Sequence, residues 1–278
     1  MLDKTNIIAL VGGGKNPKYA LNKVIIWDEN LEKEICELRF NTNVKNIKLI
    51  NEKLIVICQN KFHIFNLKNF ELLKSIDTAD NENGVICVAN KNSNILIAYP
   101  EKDKDSLKGT IKIKLFDCTI DDFNSINYNL INAHESFLAC LEFNIDATII
   151  ASASENGTLI RLFYTNDGNK INEFRRGKDK ATILSISFDK KTKFLACSSD
   201  KGTIHIFKIE NQSKSNYKII SFFTHKSFAQ FRLKEIGYCR LEEENSIILI
   251  SKEGNYFKAI FNPVKGGECY NQSKISLF

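Results

Sequence analysis

The chain has 278 residues, 43% hydrophobic and 26% charged, which is enough apolar material for a large core and too much for a disordered chain. Lysine and arginine number 39 against 33 acidic residues, so the net charge of +6 leans toward anionic partners but falls short of a dedicated nucleic-acid binder. No run reaches the roughly eighteen apolar residues of a membrane helix, and Ile7–Val11 is too short for a signal-peptide core, so a cytoplasmic chain without a nucleic-acid partner is expected.

In chain order, short runs rich in Ile, Val, Phe and Thr alternate with Asn, Asp, Lys and Gly, a strand vocabulary and not a helical one. The first is Ile7–Val11, followed by Gly12-Gly13-Gly14-Lys15, which lacks the spacing and final Ser or Thr of a phosphate-binding loop and reads as a turn. A strand ending in an aromatic then recurs: Lys23–Asp28, Lys61–Phe65, Thr110–Asp117, Thr158–Phe163, Thr203–Phe207 and Tyr256–Phe261. Its spacing of roughly 40 to 55 residues is the period of a four-stranded propeller blade. Ala151–Thr158 and Ala196–Thr203 are the clearest pair, each a strand, a polar turn with glycine and a second strand. Each follows an apolar strand, Leu138–Phe143 or Ile183–Phe188, and an acidic turn at Asp146 or Asp189.

The predicted fold is therefore all-β, a WD40-type β-propeller of four-stranded antiparallel blades in a single domain spanning 1–278. Six blade-like units are countable, approximately 1–42, 43–80, 81–134, 135–179, 180–234 and 235–278, and the first lacks an innermost strand. The eight cysteines are scattered singly, with no Cys-x-x-Cys pair, and read as reduced core thiols. No metal cluster, cofactor motif or nucleophile–base pairing stands out, so neither cofactor nor catalysis is expected.

Between the two look-alike segments lies Phe174-Arg175-Arg176-Gly177, at the end of the strand-like stretch Ile171–Phe174. Neighbouring side chains on a strand point to opposite faces, so the two arginines would each serve a separate anion site. Guanidinium suits that role because its planar fork matches phosphate oxygens and stays charged. Further on, the polar run Asn211–Asn216 precedes Ile219, Ile220, Phe222 and Phe223 beside lysines. That composition fits either a loop tip dipping into a bilayer interface or a strand packed on a blade edge.

On these features the chain resembles the PROPPIN family, the polyphosphoinositide-binding propellers that include the WIPI proteins of autophagy. The resemblance rests on Thr5–Gly14, Val24–Asp28, Ala133–Ser136, Ser154–Arg161, the Phe-Arg-Arg-Gly stretch, Ser199–His205, Ser227–Phe231 and Gly266–Cys269. It implies seven blades, of which the first would be missing here, and two headgroup sites flanking the arginines. The first would take His134, Ser154, Thr158, Arg161 and Arg175, and the second Arg176, Ser199, Thr203 and His205. The segment with Ile219, Ile220, Phe222 and Phe223 would be the membrane-inserting loop.

The function so implied is a peripheral effector that reads phosphatidylinositol 3-phosphate and the 3,5-bisphosphate on autophagic, endosomal or vacuolar membranes and recruits traffic proteins. The competing reading is a WD40 scaffold that binds only proteins, its arginines meeting acidic peptides. If His134 and His205 contact phosphate, the bound anion should favour imidazolium, and affinity would rise toward pH 6.

Overall fold

The computed structural model describes residues 6–102, 108–118, 124–210 and 226–277. Among them every regular element is a strand, and the strands form six sheets. The first sheet has three strands, β1 (Ile7–Val11), β2 (Lys23–Asp28) and β3 (Lys33–Arg39). The second holds β4 (Asn46–Ile50), β5 (Lys53–Ile57), β6 (Lys61–Asn66) and β7 (Leu72–Asp77) as a meander. β8 (Cys87–Lys91), β9 (Asn94–Pro100), β10 (Gly109–Phe116) and β11 (Ser125–His134) make the third. β12 (Leu138–Phe143), β13 (Ile149–Ser154), β14 (Leu159–Tyr164) and β15 (Lys170–Arg175) make the fourth.

The fifth sheet departs from the four-stranded rhythm. To β16 (Ile183–Phe188), β17 (Phe194–Ser199), β18 (Thr203–Lys208) and β19 (Ala229–Arg232) it adds a late strand running parallel to β19. The last sheet is β20 (Gly237–Leu241), β21 (Ser246–Ser251) and β22 (Asn255–Ile260); the chain then visits sheet five as β23 (Gly267–Glu268) and returns as β24 (Tyr270–Ser276). The detour depends on Gly266, whose φ is 67° and whose added Cβ would lie 2.1 Å from the Phe228 carbonyl oxygen, so only glycine lets the strands approach.

The chain divides into two compact units, Met1–Ser106 with Lys114–Asn127 and Leu107–Ile113 with Tyr128–Phe278. In the first, alternation along β2 and β5 sends Val24, Ile26, Leu54 and Val56 into one core, while Ile55, Ile57, Phe62, Ile64 and Tyr99 fill another. In the second unit Ala151, Ile160, Leu162 and Phe174 of sheet four pack on Leu195, Cys197 and Phe207 of sheet five. The opposite face of sheet five, with Ala196, Ile204, Ile206 and Phe231, packs on Cys239, Leu249 and Phe257 of the last sheet.

Because side chains alternate, the other face of the last sheet carries the register partners Tyr238, Ile250, Tyr256 and Ile275. Tyr238, Ile250 and Ile275 are 58%, 46% and 57% exposed, an apolar row crossing the whole sheet.

The two glycine turns behave alike. Gly157 and Gly202 have φ of 60° and 71°, and each donates its N–H to the carbonyl of Ser154 or Ser199 three residues earlier. The turns before them differ from expectation in one detail. Asp189 Oδ1 accepts the N–H groups of Lys193 and Phe194, but in sheet four that position belongs to Asn144, which accepts from Thr148 and Ile149; Asp146 instead takes the Thr148 hydroxyl. Asn and Asp share a side-chain oxygen at the same reach, which is all that the turn requires.

Candidate functional site

The arginine pair is held by what comes just before it. Phe174 is fully buried and stacks on Phe207 of β18 with centroids 4.8 Å apart and planes 18° from parallel. That stack fixes the end of β15, where Arg175 lies opposite Leu159 in the ladder and is half-buried. Arg176 follows the strand, and its N–H donates to the Thr158 carbonyl at 2.9 Å. Its side chain is 8% exposed; Nε donates to the Gly157 carbonyl at 2.7 Å and Nη2 to that of Asp179. A buried guanidinium without those acceptors would be costly, so the Ser154–Thr158 turn and Arg176 stabilise each other.

His134 ends β11 and is 5% exposed, with Nε2 3.0 Å from the Ser152 hydroxyl. Arg161 of β14 lies beside it: Nη1 donates to the Ala133 carbonyl at 2.7 Å and Nε to Glu173 Oε2 at 2.8 Å. Burial, and after it the Arg161 charge, pushes the His134 imidazole down to about 4. Burial alone would raise Glu173, but the hydrogen bond and charge of Arg161, with Lys170, outweigh it and hold the carboxyl below its usual range. Ser154 is buried and Thr158 half-buried, both flanking the glycine turn.

Across the arginines, Ser199 is buried and its hydroxyl meets the Lys201 N–H at 3.4 Å. Thr203 and His205 of β18 are half-buried and lie opposite Arg232 and Gln230 of β19. His205 stacks on Phe207 at 6.3 Å, and its buried Nδ1 meets no hydrogen-bond partner among the described residues. Burial first, then the charges of Arg176 and Arg232, depresses this imidazole to about 4 as well.

The fold thus sets Arg161 beside His134 and brings the Arg176 charge to His205, while the hydrogen bonds of Arg176 run to Gly157 and Thr158 of the turn expected in the first site. It also gives several of them internal partners, so a ligand would meet only the donors left over. Sequence reading missed Ser152, Glu173, Gln230 and Arg232. The first two were within reach of it, because Arg161 and Glu173 are an opposite-charge cross-strand pair and Ser152 is two residues from Ser154. Ile219, Ile220, Phe222 and Phe223 lie outside the described residues.

Comparison with known proteins places this architecture. The PROPPIN family model matches residues 17–231, and the chain belongs to that family of β-propellers. Among relatives, the Autophagy-related protein 18e of Arabidopsis thaliana is 29% identical, covering 96% of this chain and 73% of its own length. Autophagy-related protein 18 of Yarrowia lipolytica is 34% identical over 76% of this chain, and SVP1-like protein 2 of Saccharomyces cerevisiae 37% over 75%; the chain spans only 56% and 50% of those two. Kluyveromyces lactis Hsv2 superposes with a TM-score of 0.78 at 23% identity, covering 100% of this chain and 85% of the other. KlAtg21, solved in complex with the coiled coil of AgAtg16, superposes with a TM-score of 0.76 at 22% identity, covering 99% and 83%.

Proposed function

We propose that this chain is a peripheral membrane effector that binds phosphatidylinositol 3-phosphate, and the 3,5-bisphosphate, through two headgroup sites flanking Phe174–Gly177. One site is made of His134, Ser154, Thr158, Arg161 and Arg175, the other of Arg176, Ser199, Thr203 and His205. The observation that carries this reading is that Arg175 and Arg176 stand along the chain between two glycine turns of the same design, each with a serine before and a threonine after the glycine, with Arg176 bonded to the first turn and its charge felt by His205 just after the second. Arginine supplies charge, while hydroxyls and imidazole N–H groups supply directional donors to phosphate and inositol oxygens. Two shallow sites on one membrane multiply through avidity. Ile219, Ile220, Phe222 and Phe223 would add apolar insertion. Family membership and relatives named for autophagy support a role in autophagic or endolysosomal traffic, with no catalysis. The structure of KlAtg21 with a coiled coil makes a helical partner of that kind reasonable here.

A protein-only scaffold is the second reading, favoured by the internal use of Arg161 and Arg176. Flotation with vesicles that contain or lack phosphatidylinositol 3-phosphate separates the two. The wild type should float only with the lipid, and Arg175→Thr should reduce that flotation severalfold while keeping a wild-type circular dichroism spectrum. Arg175→Thr is preferred to a double substitution because Arg176 also anchors the backbone. Flotation indifferent to the lipid would establish the scaffold.

A further inference from the structure

Arg176 spends two of its donors on backbone carbonyls and is nearly buried, so little of its charge faces a ligand at the second site. Among the described residues, an exposed cation on that face of sheet five is a different one. Ladder register puts Arg232 opposite Thr203 and Gln230 opposite His205, and residues opposite each other in a sheet share a face. Arg232 is 65% exposed at its side chain, and its charge reaches the His205 imidazole. Its guanidinium is already engaged by two oxygen acceptors, one of them a carboxylate. Nη1 lies 2.6 Å from Glu268 Oε1, and Nη2 donates to Gln230 Oε1 at 2.7 Å.

Glu268 reaches that position only through β23, the two-residue strand that leaves the last sheet to pair with β19. The backbone there is clamped, with the Gly267 N–H on the Phe228 carbonyl and the Cys269 N–H on that of Gln230. The carboxylate itself is 55% exposed at its side chain, so leaving the ion pair would return it to solvent. An exposed ion pair of this sort is weak, and a doubly charged phosphate competes well for the same fork.

We infer that Arg232 is a phosphate-binding cation of the second site and that Glu268 is its built-in competitor, displaced when an anionic headgroup binds. This inference rests on the headgroup reading above. Glu268 keeps the guanidinium aimed at the site while lowering its affinity for stray anions, so occupancy demands a phosphate held there by Thr203 and His205 as well. The chemistry is shared by a lipid headgroup and by free inorganic phosphate, and the two must be told apart.

The test compares wild type, Glu268→Gln and Arg232→Gln. Binding is measured to vesicles of phosphatidylcholine with 5–10% phosphatidylinositol 3-phosphate (roughly, to keep surface charge low), to soluble inositol 1,3-bisphosphate and to inorganic phosphate. Glu268→Gln should bind vesicles and soluble headgroup about 3- to 10-fold more tightly, and Arg232→Gln about as much more weakly, as expected for gain or loss of one charge-assisted contact. Thermal melts within a few degrees of wild type would show both variants folded, as their exposure leads one to expect. Inorganic phosphate should bind far more weakly than the soluble headgroup in all three proteins, and equal affinity would overturn the requirement for a headgroup. Vesicle binding by wild type that is no tighter in Glu268→Gln overturns this inference alone. No lipid-dependent binding by wild type overturns the headgroup reading and the inference with it.

Discussion

His134 and His205 are the residues at which physical surroundings change the expectation most. Each is held to about 4 by burial and a neighbouring guanidinium, so both imidazoles are neutral across the physiological range and donate through a single N–H. A bound phosphate would have to lift them by more than about two units to bring protonation above pH 6. The imidazoles are therefore expected to add no tightening from pH 8 to 6, in place of the tightening toward pH 6 anticipated from residue type, and the headgroup's own second ionisation at about 6 should if anything weaken binding there. Titration of vesicle binding over that range checks it; a rise of several fold by pH 6 would show the imidazoles protonating on contact. Stability follows with a definite sign. The unfolded histidines take up protons near 6.5 and the folded ones near 4, so the unfolded state binds more protons between those values. The stability is fully present above pH 6.5 and is lost as pH falls toward 4, by about 3 kcal/mol for His134. Urea midpoints should decline from pH 6.5, before Glu235, held down to about 2 by Lys274, begins to contribute. A level profile down to pH 5 would contradict the buried neutral imidazoles.

At the scale of the element, the glycine turn between β13 and β14 couples backbone geometry to the arginines. Gly157 has φ of 60°, an added Cβ would lie 1.8 Å from the Ala181 carbonyl oxygen, and the Gly157 carbonyl accepts from Arg176 Nε. Alanine here meets both an unfavourable dihedral and a clash with backbone, and the turn must move away from its partner. Gly157→Ala is expected to cost about 2–4 kcal/mol in urea unfolding and to weaken any vesicle binding as Arg176 loses its acceptor. Gly177→Ala makes the contrast, since nothing lies within 4 Å of its would-be Cβ and its φ is not left-handed, so it should change stability by less than about 1 kcal/mol. Similar losses at the two positions would remove the geometric argument.

For the molecule as a whole, the informative surface is the face of the last sheet turned away from sheet five. Tyr238, Ile250, Tyr256 and Ile275 form an apolar row four strands wide, where surface faces of sheets ordinarily alternate to polar residues. A fluorescent apolar dye should bind the native protein there, and Tyr238→Ser with Ile275→Ser should lower the signal at least about twofold. Because both side chains are about half exposed, the urea midpoint should shift little. Unchanged dye binding would mean that the row is covered in solution. Net charge acts at the same scale: a charge of +6 favours approach to anionic surfaces, and added salt should slow any such approach.

Period and alternation were legible from sequence because each strand must bury one side chain in two, and the aromatic-ended strand marks one turn of the repeat. That logic gave β1, β12, β16 and the aromatic-ended strands β2, β6, β10, β14, β18 and β22 to within a residue or two, with the glycine turns and the arginine pair between them, but it did not bound β3, β4, β7, β8, β9, β11, β20 or β21. It could not give β23, because a two-residue strand has no period of its own and is fixed by a close approach at Gly266. Nor could it tell which donors the site residues keep for a ligand. Arg161 and Arg176 are cations in any sequence, but whether they face an anion, Glu173 or the Gly157 carbonyl depends on which strands lie side by side. The same holds for Arg232 and Glu268, 36 positions apart in sequence and 2.6 Å apart in space, which only the pairing of β19 with β23 brings together. Local chemistry sets what a side chain can do, and long-range strand pairing sets what it meets.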